Sequence, residues 1–182
     1  MKKREIPPFA PVLMESTRAI GYSLEAAIAD IIDNSIAAKA SKVQISFFPV
    51  GDAYVCILDN GKGMNNEQID IAMQYGSKSP TEDRDASDLG RYGLGLKTAS
   101  LSQCRILTVV RKQGNLLVGR CWDLDYVAET ENWSLLILDE EDLNTIPHIF
   151  DLKEQECGTL IVWQNLDRLL RGEIDYKKFI GR

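Results

Sequence analysis

The sequence predicts an α+β fold: a two-layer α/β sandwich, with helices on one face of a mostly antiparallel mixed sheet. Three observations predict it. Residues 23–40 carry an apolar stripe at helical spacing, residues 43–58 alternate in and out as two strands around a Gly51-Asp52 turn, and three more strand-like runs follow after Cys104. Helices precede and interrupt an antiparallel-looking set of strands, the pattern of an α+β domain. With 182 residues the chain is expected to form one domain, residues 1–182, large enough for a proper core.

In order, Pro7, Pro8 and Pro11 make residues 1–11 an extended arm, and a short helix is expected over 12–20. A second helix runs from Ser23 to about Ala40, with Leu24, Ile28, Ile31, Ile32 and Ser35 facing the core. Its other arc holds Ser23, Ala26, Ala27, Asp30, Asp33, Asn34 and Ala37, with no Lys, Glu or Arg between Glu25 and Lys39. A solvated helix face normally carries such residues. Asp30 and Asn34, one turn apart, are therefore expected to face something other than bulk water.

Strands over Val43–Val50 and Ala53–Leu58 form a hairpin, and residues 65–74 read as a helix capped by Asn65 or Asn66. Residues 75–92 show no apolar recurrence before Leu89 and read as a long mobile loop. A helix to about Ser102 follows. Strands are expected at Arg105–Arg111, Leu116–Trp122 and Thr159–Trp163, with a short one at Leu135–Leu138 and short helices starting near Asp139–Asp142 and over 167–171. His148, the sole histidine, is placed in a loop beside Pro147.

A net charge of −6 argues against nucleic-acid binding by this segment and against an anionic membrane, so any phosphate site must be local. No apolar run approaches the ~18 residues of a membrane span, the N-terminus lacks the apolar region of a secretion signal, and the expected compartment is the cytoplasm. Four widely spaced cysteines without a Cys-x-x-Cys pair read as buried free thiols.

Three stretches carry chemistry. Gly90, Gly93 and Gly95 run directly into Leu96, Lys97 and Ala99, which makes either a flexible turn or a phosphate cradle: close backbone N–H groups, a helix N-terminus, and the Lys97 charge. The strand ending at Asp59 continues as Asn60-Gly61-Lys62-Gly63-Met64. Asp59 is either an Asx turn closing the strand or a carboxylate that accepts from an adenine amine, with Gly61 and Gly63 leaving the base room. Lys62 and Gly63 stand where a calcium loop needs oxygen ligands. The glycine loop follows an acidic segment, not a strand, against a dinucleotide-binding unit, and there is no Gly-Lys-Ser/Thr of a P-loop.

Asp33-Asn34-Ser35, Asp59-Asn60-Gly61-Lys62-Gly63-Met64 and Gly90-Arg91-Tyr92-Gly93-Leu94-Gly95-Leu96-Lys97 together resemble the GHKL, or Bergerat-fold, ATPases. That superfamily includes gyrase B, the ninety-kilodalton heat-shock chaperone, sensor histidine kinases and MutL proteins. The wording looks most like its microrchidia branch and bacterial relatives, over roughly residues 20–165. The resemblance implies an ATP site in which Asn34 is the Mg²⁺ ligand, an amide oxygen suited to a hard cation. Asp59, Gly61, Gly63 and Met64 would hold the base, and Gly90, Tyr92, Gly93, Leu94, Gly95 and Lys97 the phosphates, with 75–95 as the ATP lid. Thr159 after Gly158 resembles the late Gly-Thr strand start whose hydroxyl helps hold adenine, unless it is simply a β-branched strand residue. Where the family places a water-activating glutamate stands Asp30, about 1.5 Å shorter in reach.

The function implied is Mg²⁺-dependent ATP binding and slow hydrolysis, driving a conformational switch. Its partners are ATP, a second copy of the chain joined through the N-terminal arm and lid, and an attached or partner effector domain. The family's downstream transducer domain is expected to be absent. Two alternatives are a histidine-kinase-type phosphotransfer domain acting in trans, and a module that binds ATP without turning it over.

Overall fold

The computed structural model describes residues 6–19, 21–75 and 95–168. Six strands form one sheet in which every pairing is antiparallel: β1 (Val43–Phe48), β2 (Tyr54–Asp59), β3 (Ile106–Gln113), β4 (Leu116–Asp123), β5 (Leu136–Leu138) and β6 (Cys157–Gln164). Their order is β1-β2-β6-β3-β4-β5, so the last strand inserts between the two hairpins. The α+β sandwich expected from the sequence is the fold observed.

One face of the sheet presents Val55, Ile57, Leu107, Val109, Ile161 and Trp163 to α1 (Ala10–Arg18), α2 (Leu24–Ala37), α3 (Asn66–Met73), α4 (Gly95–Leu101) and α5 (Leu124–Thr130). The alternate residues Cys56, Leu58, Val110, Leu160 and Val162 face the other way. There two short helices, α6 (Glu140–Thr145) and α7 (Ile149–Glu154), cover them with Leu143, Ile149 and Leu152. Strand periodicity of two separates the two cores.

The first helix begins at Ala10, with Pro11 in its first turn, so the extended arm ends two residues earlier than expected. Proline fits there because a first-turn N–H has no intrahelical acceptor to lose. In α2 the buried row is Ala27, Ile31 and Ser35, while Leu24, Ile28 and Ile32 are only half-buried. Ala27 thus belongs to the core and not to the polar arc. Asn65 caps α3 through a reciprocal box with Gln68. Two helices, α5 and α7, had no counterpart in the sequence reading. Of the helix expected over 167–171, only 167 and 168 are described, and they form a turn.

All four cysteines are free; Cys56, Cys104 and Cys121 are buried and Cys157 is half-buried. Among the described residues, no helix is long and apolar enough to cross a membrane.

Candidate functional site

The site is built where β2, β6 and β3 end beneath α2 and α3. Asp59, the last residue of β2, is 5% exposed. Its carboxylate accepts from Ser35 Oγ at 2.9 Å and from the Gly61 N–H at 2.8 Å, and Thr159 is its partner across the β2/β6 ladder. Burial pushes the Asp59 pKa up, and the polar hydrogens of Gly61, Ser35 and Thr159 oppose that push. A carboxylate offers about four lone-pair positions, so acceptor capacity is left for a ligand N–H.

The chain after Asp59 is held tightly. Asn60 Oδ1 accepts from the Ser41 and Lys42 N–H groups at 2.9 Å each, and Lys62 N–H donates to Ala38 O at 3.0 Å. A Cβ on Gly61 would lie 2.8 Å from Ala38 Cβ. Gly63 has φ +67°, and a Cβ there would lie 2.7 Å from Lys112 O. Both glycines therefore let the loop approach α2 and β3, a reason independent of room for a base. Met64 is half-buried against the helix-side core.

The second cluster joins α2 to α4. Asp30 is half-buried, and a Cβ on Gly95 would stand 3.8 Å from Asp30 Oδ2, so the carboxylate faces the first residue of α4. The Tyr22 hydroxyl stands near Asp30 and Thr98; burial first, and then the Asp30 charge, raise the Tyr22 pKa. Gln103 Nε2 donates to Tyr22 O at 3.0 Å and fixes that residue's backbone. Asn34 lies one turn along from Asp30, exposed, as does its neighbour Asp33. Among the described residues no three His, Cys, Asp or Glu side chains group as metal ligands. A lone hard amide oxygen at Asn34 fits a Mg²⁺ that draws its remaining ligands from phosphates and water.

Lys97 lies elsewhere than expected for a phosphate contact. It is 1% exposed, its Nζ donates to Ala72 O at 2.6 Å near the C-terminal end of α3, and burial lowers its pKa to about 8. Gly90, Tyr92, Gly93 and Leu94 lie outside the described residues, as does the expected lid apart from Tyr75 and Gly95. Thr159 is buried in the row that also holds Asp59.

Asp59, Gly61 and Thr159 thus meet directly, and Asp30 meets Gly95. Helix α2 connects the two groups, since Ser35 reaches Asp59 while Asp30 reaches α4. Tyr22 and Ser35 were not expected as site residues; Ser35 sits in the Asp-Asn-Ser run but reads as core, and nothing marks Tyr22. None of these residues lines the apolar cavity of about 640 Å³ beside Leu13, Trp122 and Trp133, which lies past the other end of α3.

A family model described as "Histidine kinase-, DNA gyrase B-, and HSP90-like ATPase" matches residues 22–159. The ATPase MORC2B of Mus musculus is 32% identical over 95 residues, 50% of this chain and 9% of that protein. The DNA mismatch repair protein MutL of Thermosipho melanesiensis is 25% identical over 156 residues, 81% of this chain and 28% of that protein. ATPase morc-1 of Caenorhabditis elegans is 29% identical over 94 residues, 51% of this chain and 11% of that protein. The chain spans less than a third of the length of each of these relatives.

Proposed function

The chain belongs to the family of histidine kinase-, DNA gyrase B- and HSP90-like ATPases, and from that premise we propose that it binds Mg-ATP and hydrolyses it slowly as a conformational switch. The observation that carries this reading is Asp59, a buried carboxylate that accepts from Ser35 and Gly61 and keeps acceptor capacity free. The exocyclic amine of adenine supplies the missing N–H. Guanine presents a carbonyl oxygen at the same place and is repelled.

In this reading Asn34 holds Mg²⁺, whose charge would offset that of the phosphates. Asp30 accepts the proton of the attacking water while that oxygen bonds the γ-phosphorus and the bond to the ADP oxygen breaks. Tyr22 orients Asp30 for that transfer, helping to offset its missing methylene. Hydrolysis stays well below the ~10 s⁻¹ of an ordinary enzyme because the base is short of its mark. Residues 75–95 as the lid, a homodimer through the N-terminal arm, and an effector domain attached or in a partner belong to the same proposal. The exposed Ile6, Phe9 and Val12 at the start of the described chain support a dimer surface there.

Phosphotransfer within the chain is disfavoured by its only histidine. His148 packs on Tyr54 and pairs with Asp151 at 2.6 Å on the face of the sheet opposite Asp59. Phosphate release by the wild type, Asp30→Asn and Asp30→Glu tests hydrolysis. The expected order is Asp30→Glu at or above wild type, with Asp30→Asn lower by about 100-fold. An unchanged rate in Asp30→Asn, with Asn34→Ala abolishing nucleotide binding, means that Asp30 is not the base and favours a binding module.

A further inference from the structure

Helix α3 starts where the loop after Asp59 ends, and a buried cation lies beneath that start. Arg111, on β3, is 1% exposed. The ladders place it opposite Thr159, which is opposite Asp59, so the three residues form one row across β2, β6 and β3 on the helix-covered face. Strand spacing sets Arg111 about 10 Å from Asp59, backbone to backbone.

No carboxylate among the described residues pairs with Arg111. Its Nη2 donates to Asn66 Oδ1, and its Nε is buried with no partner among the described residues. The nearby Arg120 is a like charge that spends its own ion pair on Asp70, at 2.7 Å. Asn66 is the first residue of α3, the positive end of the helix dipole, so the guanidinium gains nothing there from the helix. An apolar side chain of similar length would fill the same space at lower desolvation cost. Its presence therefore calls for a role other than packing.

We propose that Arg111 is a positioning residue for the base-binding loop: through Asn66 it fixes the second half of the segment 61–66 over the Asp59–Thr159 pair. The first half already has its own ties, through Asn60 to Ser41 and Lys42 and through Lys62 to Ala38. The Asn65 cap is internal to α3 and holds it to nothing else. Arg111 and Asn66 thus tie the end of the loop to β3, while the Arg120–Asp70 pair holds α3 to β4 further along. This proposal rests on the reading that Asp59 receives the base.

The test uses the whole chain, with Arg111→Met, Asn66→Ala, the double variant, and Asn66→Asp in both backgrounds. Each single loss is expected to weaken ATP binding about tenfold, with the double variant no weaker than either, since both break one tie. Turnover at saturating ATP stays within about twofold of wild type. Asn66→Asp gives the guanidinium a carboxylate partner and binds ATP at least as tightly as wild type, but brings no gain in the Arg111→Met background. Amide exchange of the nucleotide-free chain is expected to rise about tenfold at 61–66 in Arg111→Met, with β3 and β6 still protected. Exchange that is unchanged at 61–66, or that rises equally through the sheet, overturns the proposal. Should the wild type bind no ATP, the reading of Asp59 fails, and the exchange measurement still decides the role of Arg111.

Discussion

Lys97 shows what a single side chain can conceal in a sequence. Beside three glycines it reads as a phosphate-facing cation, yet in the structure its amine is buried against Ala72 O. That burial makes it a measurable liability. With a folded pKa near 8 against about 10.4 unfolded, the unfolded chain holds more protons between those values, so stability contributed by this group rises as pH rises from 8 to 10.4. The buried thiols work in the opposite direction, their pKa values raised by burial, Cys56 to about 12 and Cys121 to about 11. The difference between wild type and Lys97→Met isolates the lysine. Denaturant titrations should find Lys97→Met more stable at pH 7, with its advantage shrinking by roughly 3 kcal/mol on going to pH 10. An advantage independent of pH would mean that the amine is not desolvated.

The other site residues divide by how local their partners are. Asp30, Asn34, Asp59 and Thr159 could be named as candidates because motif and helix face mark them. Ser35 and Arg111 could not, since each acts through a residue far away in sequence, Asp59 and Asn66 respectively, and Tyr22 precedes the helix that carries its neighbour Asp30.

At the scale of elements, the junction of β2, β6 and the loop before α3 tolerates no added atoms. A Cβ on Gly158 would lie 2.2 Å from Asp59 O, and one on Gly63 would meet Lys112 O at 2.7 Å with the backbone already at φ +67°. Gly158→Ala and Gly63→Ala should each cost about 1–3 kcal/mol in thermal or denaturant unfolding and weaken nucleotide binding more than an alanine at the open turn of Gly114. Equal effects at all three positions would show that the junction is not tightly packed.

Elements with strong local signals were foreseen. The Asn65 cap, the Gly51 and Gly114 turns and the alternating strands need no tertiary information. The missed helices are short. In α5 the Asp123 side chain accepts from the Asp125 and Tyr126 N–H groups, a cap that follows directly on the end of β4 and so reads as strand. In α7 the start is His148 at φ 61°, a backbone turn that its residue type does not announce. Neither helix is long enough to display a periodic stripe.

For the whole molecule, pattern predicted the layers, but the order of the strands came from tertiary structure. Inserting β6 between β2 and β3 is what brings Thr159 beside Asp59 and Arg111 beside Thr159. Without that insertion the three would lie on separate parts of the sheet. The same arrangement places α6 and α7 on the far face, where they cover an apolar core and keep His148 away from the site. A net charge of −6 spread over the chain makes this local geometry, and not overall attraction, the basis for holding an anionic ligand.

Calorimetric titration of wild type and Asp59→Asn with ATP in the presence of Mg²⁺ tests whether the Asp59 carboxylate receives the adenine amine. The amide would turn an N–H₂ toward the donors at Ser35 and Gly61 and lose the free acceptor. The expected result is saturation of the wild type at one ATP per chain, little binding of GTP, and a loss of about 1.5–3 kcal/mol, roughly 10- to 100-fold in affinity, for Asp59→Asn. Equal ATP affinity in the two proteins, or equal affinity of the wild type for ATP and GTP, would contradict it.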